Sequence, residues 1–208
     1  MREQPVVYVI DDDPEIRESL TLTLNAAGLR AKTYSTAEEF LVCDEKLSEG
    51  PACLIVDVRL PGLSGLGLQA KLAKEGIHVP IIILSGHGNI PMAVEAMKSG
   101  ALDFLQKPIH QRKLFECVQK ALDQHAQQLL KDADYGEAVK RISALSERER
   151  EVMGMLVAGK ALKEIAAALG IGHQTVAKHR ASLFEKLEID GVAELVRLQM
   201  LVQKRAAE

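Results

Sequence analysis

The sequence predicts an α/β domain built on a five-stranded, doubly wound parallel sheet, followed by a small all-α domain. Short β-branched runs alternate five times with amphipathic stretches up to about residue 125; beyond residue 126 the strand signals vanish and the pattern is helical. Charge divides with the pattern: residues 1–125 hold 13 Lys/Arg against 17 Asp/Glu, whereas residues 140–208 hold 12 against 9. A length of 208 residues accommodates two domains.

Val6–Ile10 is an apolar run suited to a strand buried on both faces. A helix follows, with Pro14 at its first position, Asp13 and Glu15 near its positive end, and Gly28 as its stop. Within it Ile16, Leu20 and Leu24 recur every four residues. Arg30–Tyr34 is a weaker strand, and a helix runs from about Thr36 to Leu47. Cys53–Val56 is the third strand, followed by a helix from about Ser64 to Glu75. Ile81–Leu84 is the fourth, with a helix from near Asn89-Ile90-Pro91 to Gly100. Leu102–Leu105 is the last strand, and a helix starts after Pro108. Residues 126–143 are polar and read as an extension of that helix, a helical linker decaying near Tyr135-Gly136.

The chain is 47% hydrophobic and 26% charged, which excludes a largely disordered protein. Its longest apolar runs fall far short of the ~18 residues of a bilayer span. Met1–Pro5 lacks the features of a secretory leader. Cys43, Cys53 and Cys117 are odd in number and lack C-x-x-C spacing, so neither disulfides nor zinc are expected. A cytoplasmic protein is expected.

Candidate chemistry gathers at the strand ends. Strand one ends in Asp11-Asp12-Asp13, strand three in Asp57, strand four in Ser85, and strand five leads into Lys107-Pro108. A parallel sheet brings those ends to one edge, where ligands of such folds sit. Carboxylates crowded there repel one another and call for a cation. Mg²⁺ suits oxygen ligands of this kind. An aspartate facing it can accept a phosphoryl group, with Lys107 as a mobile point charge and Ser85 as a hydrogen-bond donor. Each residue also has a plain structural account. Asp11–Asp13, Asp13 above all, could cap the helix, Asp57 could be a turn residue, and Lys-Pro is a common loop pair. Their joint occurrence on four strand ends favours a site. Gly62-x-x-Gly65-x-Gly67 departs from G-x-G-x-x-G and reads as a turn opening a helix, not a nucleotide loop, while His87 reads as a surface loop residue.

On these residues, 4–125 resemble the flavodoxin-like receiver domain of two-component response regulators. The resemblance implies that Asp57 is the phosphoacceptor, served by a sensor histidine kinase. It also implies that Mg²⁺ is held by Asp11, Asp12, Asp57 and the backbone carbonyl of Arg59, with Asp12 the more direct ligand of the acidic pair. Ser85 stands at the switch hydroxyl position, Phe104 at the aromatic switch position and Lys107 at the invariant lysine, whose bond to Pro108 is cis in that family. Core packing is the plain account of Phe104. The run Gly86-His-Gly-Asn-Ile-Pro-Met-Ala-Val-Glu-Ala-Met-Lys-Ser-Gly100 resembles the FixJ branch of the family.

The rear part opens on a capping box, with Ser146 as cap and Glu149 three residues on. The first helix ends at Gly159. A short helix over about Leu162–Leu169, a turn at Gly170-Ile-Gly172 and a longer helix over about His173–Leu187 give the helix-turn-helix order. A last helix covers about Val192–Gln203. On the third helix Val176, Leu183 and Leu187 share one side. Gln174, Thr175, Lys178, Ser182 and Lys186 take the other, with Arg180 at its flank. Such a face suits a major groove, although a solvated face looks the same in one sequence.

Residues 144–208 resemble the LuxR-type DNA-binding domain, chiefly through Lys163-Glu-Ile-Ala-Ala-Ala-Leu-Gly-Ile and Thr175-Val-Ala-Lys-His-Arg180. That resemblance adds Lys163 and His179 to the residues expected at double-stranded DNA. Ala177, Lys178, Gly172 and Leu162 depart from the usual pattern. Together the two resemblances imply a transcriptional regulator of the FixJ kind, a homodimer once phosphorylated, that acts on RNA polymerase and is not an enzyme. Two other classes fit parts of the sequence. A phosphohydrolase with an aspartate nucleophile would use the spacing of Asp11 and Asp13 but leave Asp57 and Lys107 idle. A receiver-like binding module working without phosphate would have no use for the acidic pair and Lys107.

Overall fold

Five strands form one parallel sheet in the order β2-β1-β3-β4-β5: β1 (Val6–Ile10), β2 (Arg30–Tyr34), β3 (Ala52–Asp57), β4 (Ile81–Ser85) and β5 (Asp103–Gln106). The computed structural model describes residues 4–42, 50–86 and 90–206. It divides into two units, Met1–Leu129 and Leu130–Glu208.

The central strands β1, β3 and β4 are buried at every position, as expected of apolar runs covered on both faces. Alternation then assigns the two cores. Val6, Tyr8 and Ile10 point towards α2 (Ala37–Val42), α3 (Gly65–Lys74) and α4 (Ile90–Lys98). Val7 and Val9 point to the opposite face, onto α1 (Pro14–Ala26) and the start of α5 (Gln111–Ser143). On α1, Leu20 and Leu24 are buried, and Gly28 takes the left-handed φ of 76° after the helix ends. His125 of α5 joins the layers, its Nδ1 accepting the amide of Ala52 at 2.8 Å.

Two expectations need correction, and a third falls partly outside the described residues. The helix expected over Thr36–Leu47 is described only as Ala37–Val42, and its remainder lies outside the described residues, as do Cys43, His87 and Asn89. The fifth strand is Asp103–Gln106, one residue later than Leu102–Leu105. It lies at the sheet edge, where one-sided exposure admits polar residues that an apolar reading passes over. The fifth helix does not decay near Tyr135-Gly136 but runs 33 residues to Ser143. A single glycine costs a helix only about 1 kcal/mol relative to alanine, and tertiary contacts offset it here. Ala138 is buried, Arg141 donates to the Leu187 carbonyl, and Arg205 pairs with Asp132 while covering the Tyr135 ring at 5.0 Å.

In the second unit α6 (Glu147–Val157), α7 (Leu162–Leu169), α8 (His173–Leu187) and α9 (Val192–Ala206) enclose one core. Leu145, Val152, Ile165, Val176, Leu183 and Leu195 are among its buried residues. The sharp turn between α7 and α8 is made by Gly170 at φ 65°.

Gly136 is exposed, and an added Cβ would meet nothing within 4 Å. Gly136→Ala should therefore stabilise the second unit by about 0.5–1 kcal/mol, read as a raised melting temperature by circular dichroism. An unchanged or lowered melting temperature would contradict the continuous helix.

Candidate functional site

Register assembles the first site. Ile10 pairs with Val56, which places Asp11 next to Asp57, and Asp57 in turn pairs with Leu84. Ser85 pairs with Gln106, and its carbonyl accepts the Lys107 amide at 2.9 Å. All four strand ends named from sequence thus meet at one edge of the sheet.

Asp11 and Asp57 are buried, whereas Asp12 is exposed at the mouth. Ligand oxygens of the three lie within 4.8 Å of one another. The Lys107 ammonium bridges two of them, 2.6 Å from Asp11 Oδ2 and in contact with Asp57 Oδ2. The other oxygen of Asp57 accepts the Arg59 amide at 2.7 Å. Burial raises the Asp11 carboxyl above its ordinary value, against the pull of Lys107 and the Asp13 amide. For Lys107 burial opposes the charge, but its bonds to Asp11 and Asp57 prevail and hold it above the usual lysine range. The ammonium is therefore a fixed positive charge inside the carboxylate cluster at any ordinary pH.

Other residues fall as follows. Asp13 is the cap of α1, its carboxylate accepting the Glu15 amide at 2.9 Å. Ser85 is buried at the end of β4. Phe104 is half-buried against the core beneath α2–α4. The Lys107–Pro108 bond is cis.

Two further residues belong to this site, Arg17 outside the sequence reading and Gly65 read there only as part of a turn. Arg17 of α1 donates Nη1 to the Asp11 carbonyl at 2.6 Å. Its signal was absent, since an arginine one turn into a helix reads as surface. Gly65 had a signal, in the glycine cluster after Asp57. A Cβ there would lie 2.2 Å from the Asp57 carbonyl oxygen, so this position admits no side chain. Of the cluster, Gly65 serves close approach to the Asp57 backbone.

The donor set fits Mg²⁺: three clustered carboxylates offer hard oxygen ligands, one of them exposed to solvent.

The second site is the outer face of α8. Gln174, Thr175 and Lys178 are exposed over its first turns, and Lys163 is exposed on α7. His179 is half-buried, and Arg180 lies over the Phe184 ring at 4.7 Å. Ser182 is half-buried and Lys186 exposed, and both bond to α6. Ser182 Oγ donates to Glu149 Oε1 and Lys186 Nζ to Glu149 Oε2, both at 2.7 Å. Glu149 is itself buried and completes the capping box with the Ser146 amide and hydroxyl. Sequence identified Glu149 only as a local cap, because its partners on α8 lie 33 and 37 residues away.

Residues 7–119 match the response regulator receiver domain, and residues 143–199 match the bacterial regulatory proteins of the luxR family. The chain belongs to the response regulators. It is 42% identical to the transcriptional regulatory protein FixJ of Azorhizobium caulinodans over 97% of this chain and 94% of that one. The response regulator protein TmoT of Ectopseudomonas mendocina is 39% identical over 94% of this chain and 88% of its own. Among solved structures, the response regulator StyR superposes with a TM-score of 0.86 at 36% identity, over 97% of this chain and 100% of that one. Full-length FixJ from B. japonicum gives 0.58 at 37% identity, over 98% and 99%. The chain is thus a FixJ-like two-component transcription regulator with a receiver domain and a LuxR-type DNA-binding domain. Those domains imply a histidine kinase and DNA as partners. No helix among the described residues is long and apolar enough to cross a membrane.

The Glu149 carboxyl is held down to about 2 from an ordinary 4.5, first by Lys186 and then by Ser182 and Ser146, against the opposing effect of burial. A group depressed on folding contributes stability that is complete above its unfolded pKa and fades as pH falls towards the folded one. The second unit should therefore lose stability between about pH 4.5 and pH 2. Glu149→Gln should flatten that segment in melting curves across the range, and an unchanged slope would dissociate Glu149 from the acid response.

Proposed function

We propose that Asp57 accepts a phosphoryl group from a sensor histidine kinase in a Mg²⁺-dependent step, and that phosphorylation promotes homodimerisation and operator binding. The observation that carries this reading is the meeting of Asp11, Asp12 and Asp57 around the Lys107 ammonium. Asp11, Asp12, Asp57 and the Arg59 carbonyl would hold the metal, which when bound neutralises charge on the transferring oxygens. The Arg59 amide fixes one oxygen of Asp57. Lys107 holds the other, and is placed to follow the phosphoryl group and keep its charge compensated. Ser85 would donate a hydrogen bond to the product, and Phe104 would repack as Ser85 moves. The α4–β5 surface then changes. On α4, Ile90, Val94 and Met97 are exposed at i, i+4 and i+7, an apolar stripe suited to a second copy.

In this reading residues 4–125 are the receiver, 126–143 a helical linker and 144–208 the DNA-binding domain of a cytoplasmic, non-enzymatic regulator. Two linked DNA-binding domains engage paired half-sites far better than one, since the second contact becomes intramolecular. DNA recognition centres on Gln174, Thr175 and Lys178, with Lys163, His179 and Arg180 beside them. Ser182 and Lys186 position α8, and RNA polymerase is the further partner.

Acetyl phosphate with Mg²⁺ should add one phosphoryl group to the wild type and shift it towards a dimer in light scattering. Asp57→Asn should show neither change by mass spectrometry and scattering, and undiminished labelling would remove Asp57 from its role.

On an operator selected from a random duplex pool, Lys178→Ala should cost ~1–3 kcal/mol of affinity with the salt slope intact, the signature of a base-edge contact. A slope lower by about one would reassign Lys178 to a phosphate. Lys186→Ala should instead lower the melting temperature, because it strands the buried Glu149 carboxylate.

A further inference from the structure

The loop between Asp57 and α3 carries Arg59 and must hold its shape for Asp57 and the Arg59 carbonyl to share a metal. Its base at Val58 is fastened to the sheet. The Val58 amide donates to the Leu84 carbonyl at 2.9 Å, and the Val58 carbonyl accepts from Gly65 at 3.1 Å. Val58 and Leu60 are also buried. The far half, Pro61–Ser64, has a different anchor. Glu38, in the first turn of α2, accepts the Leu63 amide on Oε1 at 2.8 Å, 25 residues away in sequence.

A second observation marks the same contact. Gly62 has a φ of +73°, and a Cβ built on it would lie 2.5 Å from Glu38 Oε1. The loop therefore passes so close under the Glu38 carboxylate that a side chain at residue 62 would push the carboxylate away. Among the described residues Glu38 forms no ion pair, and its partner is a loop amide.

We infer that Glu38 is a positioning residue for the phosphoacceptor site, a clip from α2 that holds the far half of the Asp57–α3 loop and thereby the Arg59 carbonyl. This rests on the phosphoacceptor reading and adds to it a residue outside the carboxylate cluster. The clip acts through a hydrogen bond, not through the charge of Glu38. Releasing it lets the loop sample other conformations, so the metal binds to a fraction of molecules and its apparent affinity falls.

Mg²⁺ titration of the full chain by calorimetry tests this, with amide exchange at Leu63 as a second readout. Glu38→Ala should weaken Mg²⁺ binding about fivefold, the scale of losing one ordinary net hydrogen bond on an exposed loop. Leu63 should lose its exchange protection, while the melting temperature stays near that of the wild type because Glu38 is exposed. With acetyl phosphate, the Mg²⁺ concentration for half-maximal labelling should rise with little change in the maximal rate. Glu38→Gln keeps an acceptor oxygen and should restore both Mg²⁺ affinity and Leu63 protection to near wild type. Wild-type Mg²⁺ affinity in Glu38→Ala would overturn the clip. Equal weakening in Glu38→Ala and Glu38→Gln would overturn it too, in favour of a charge effect. Failure of the wild type itself to bind Mg²⁺ would fell the phosphoacceptor reading, a result distinct from either.

Discussion

The folded front unit is organised by the need to keep like charges together. Asp11 and Asp57 are buried side by side, and Asp12 stands next to them. Two carboxylates at such distances cannot both ionise without compensation. Lys107 supplies it from 50 and 96 residues away, so β1, β3 and β5 must all be in register before the cluster is tolerable. The apolar burial of β1, β3 and β4 provides that register, because a one-residue slip in a parallel ladder would turn Asp57 away from the edge. Site and sheet are therefore one construction: the core fixes the strand ends, and the strand ends carry the charges.

The surroundings of Phe104 extend this logic to the edge strand. Asp103 accepts the Phe104 amide at 2.8 Å, the Cys117 thiol at 2.9 Å and the Lys113 ammonium at 3.0 Å. Burial raises the Asp103 carboxyl, but those three bonds outweigh it and hold the group below its ordinary value. The thiol, by burial first and then by this carboxylate, is pushed up to about 11, so it remains a donor. β5 is thus tied to α5 immediately beside the residue proposed to repack, and its neighbour Lys107 is tied to the carboxylates. A strand held at both ends by ionic contacts can report a change in charge at the site in a way that apolar packing alone cannot.

Much of this was legible in the sequence, and the legible parts share a cause. Strand runs, helix starts at Pro14 and Ser146, and the turn at Gly170 all depend on residues within a few positions of one another. The strand-end carboxylates were legible because a parallel sheet sends every strand end to the same edge. Misreadings came where the deciding contact was distant. Gly136 looked like a break, since Ala138, Arg141 and Tyr135 meet their partners only in the folded second unit. For Ser182 and Lys186, which periodicity places on the polar side of α8, the sequence did not show their bonds to a buried carboxylate on α6.

That last case bears on how α8 presents its surface. A buried carboxylate is stable only when its lone pairs are filled, and Glu149 fills them from its own cap and from α8 together. Rotating α8 about its axis by one position, roughly 100°, would break both α8 bonds and leave the charge buried without its cation. The same network that caps α6 thus fixes which residues of α8 face outward. The polar stripe read from the sequence divides in two: its C-terminal half bonds to α6, and its N-terminal half, Gln174, Thr175 and Lys178, stays exposed.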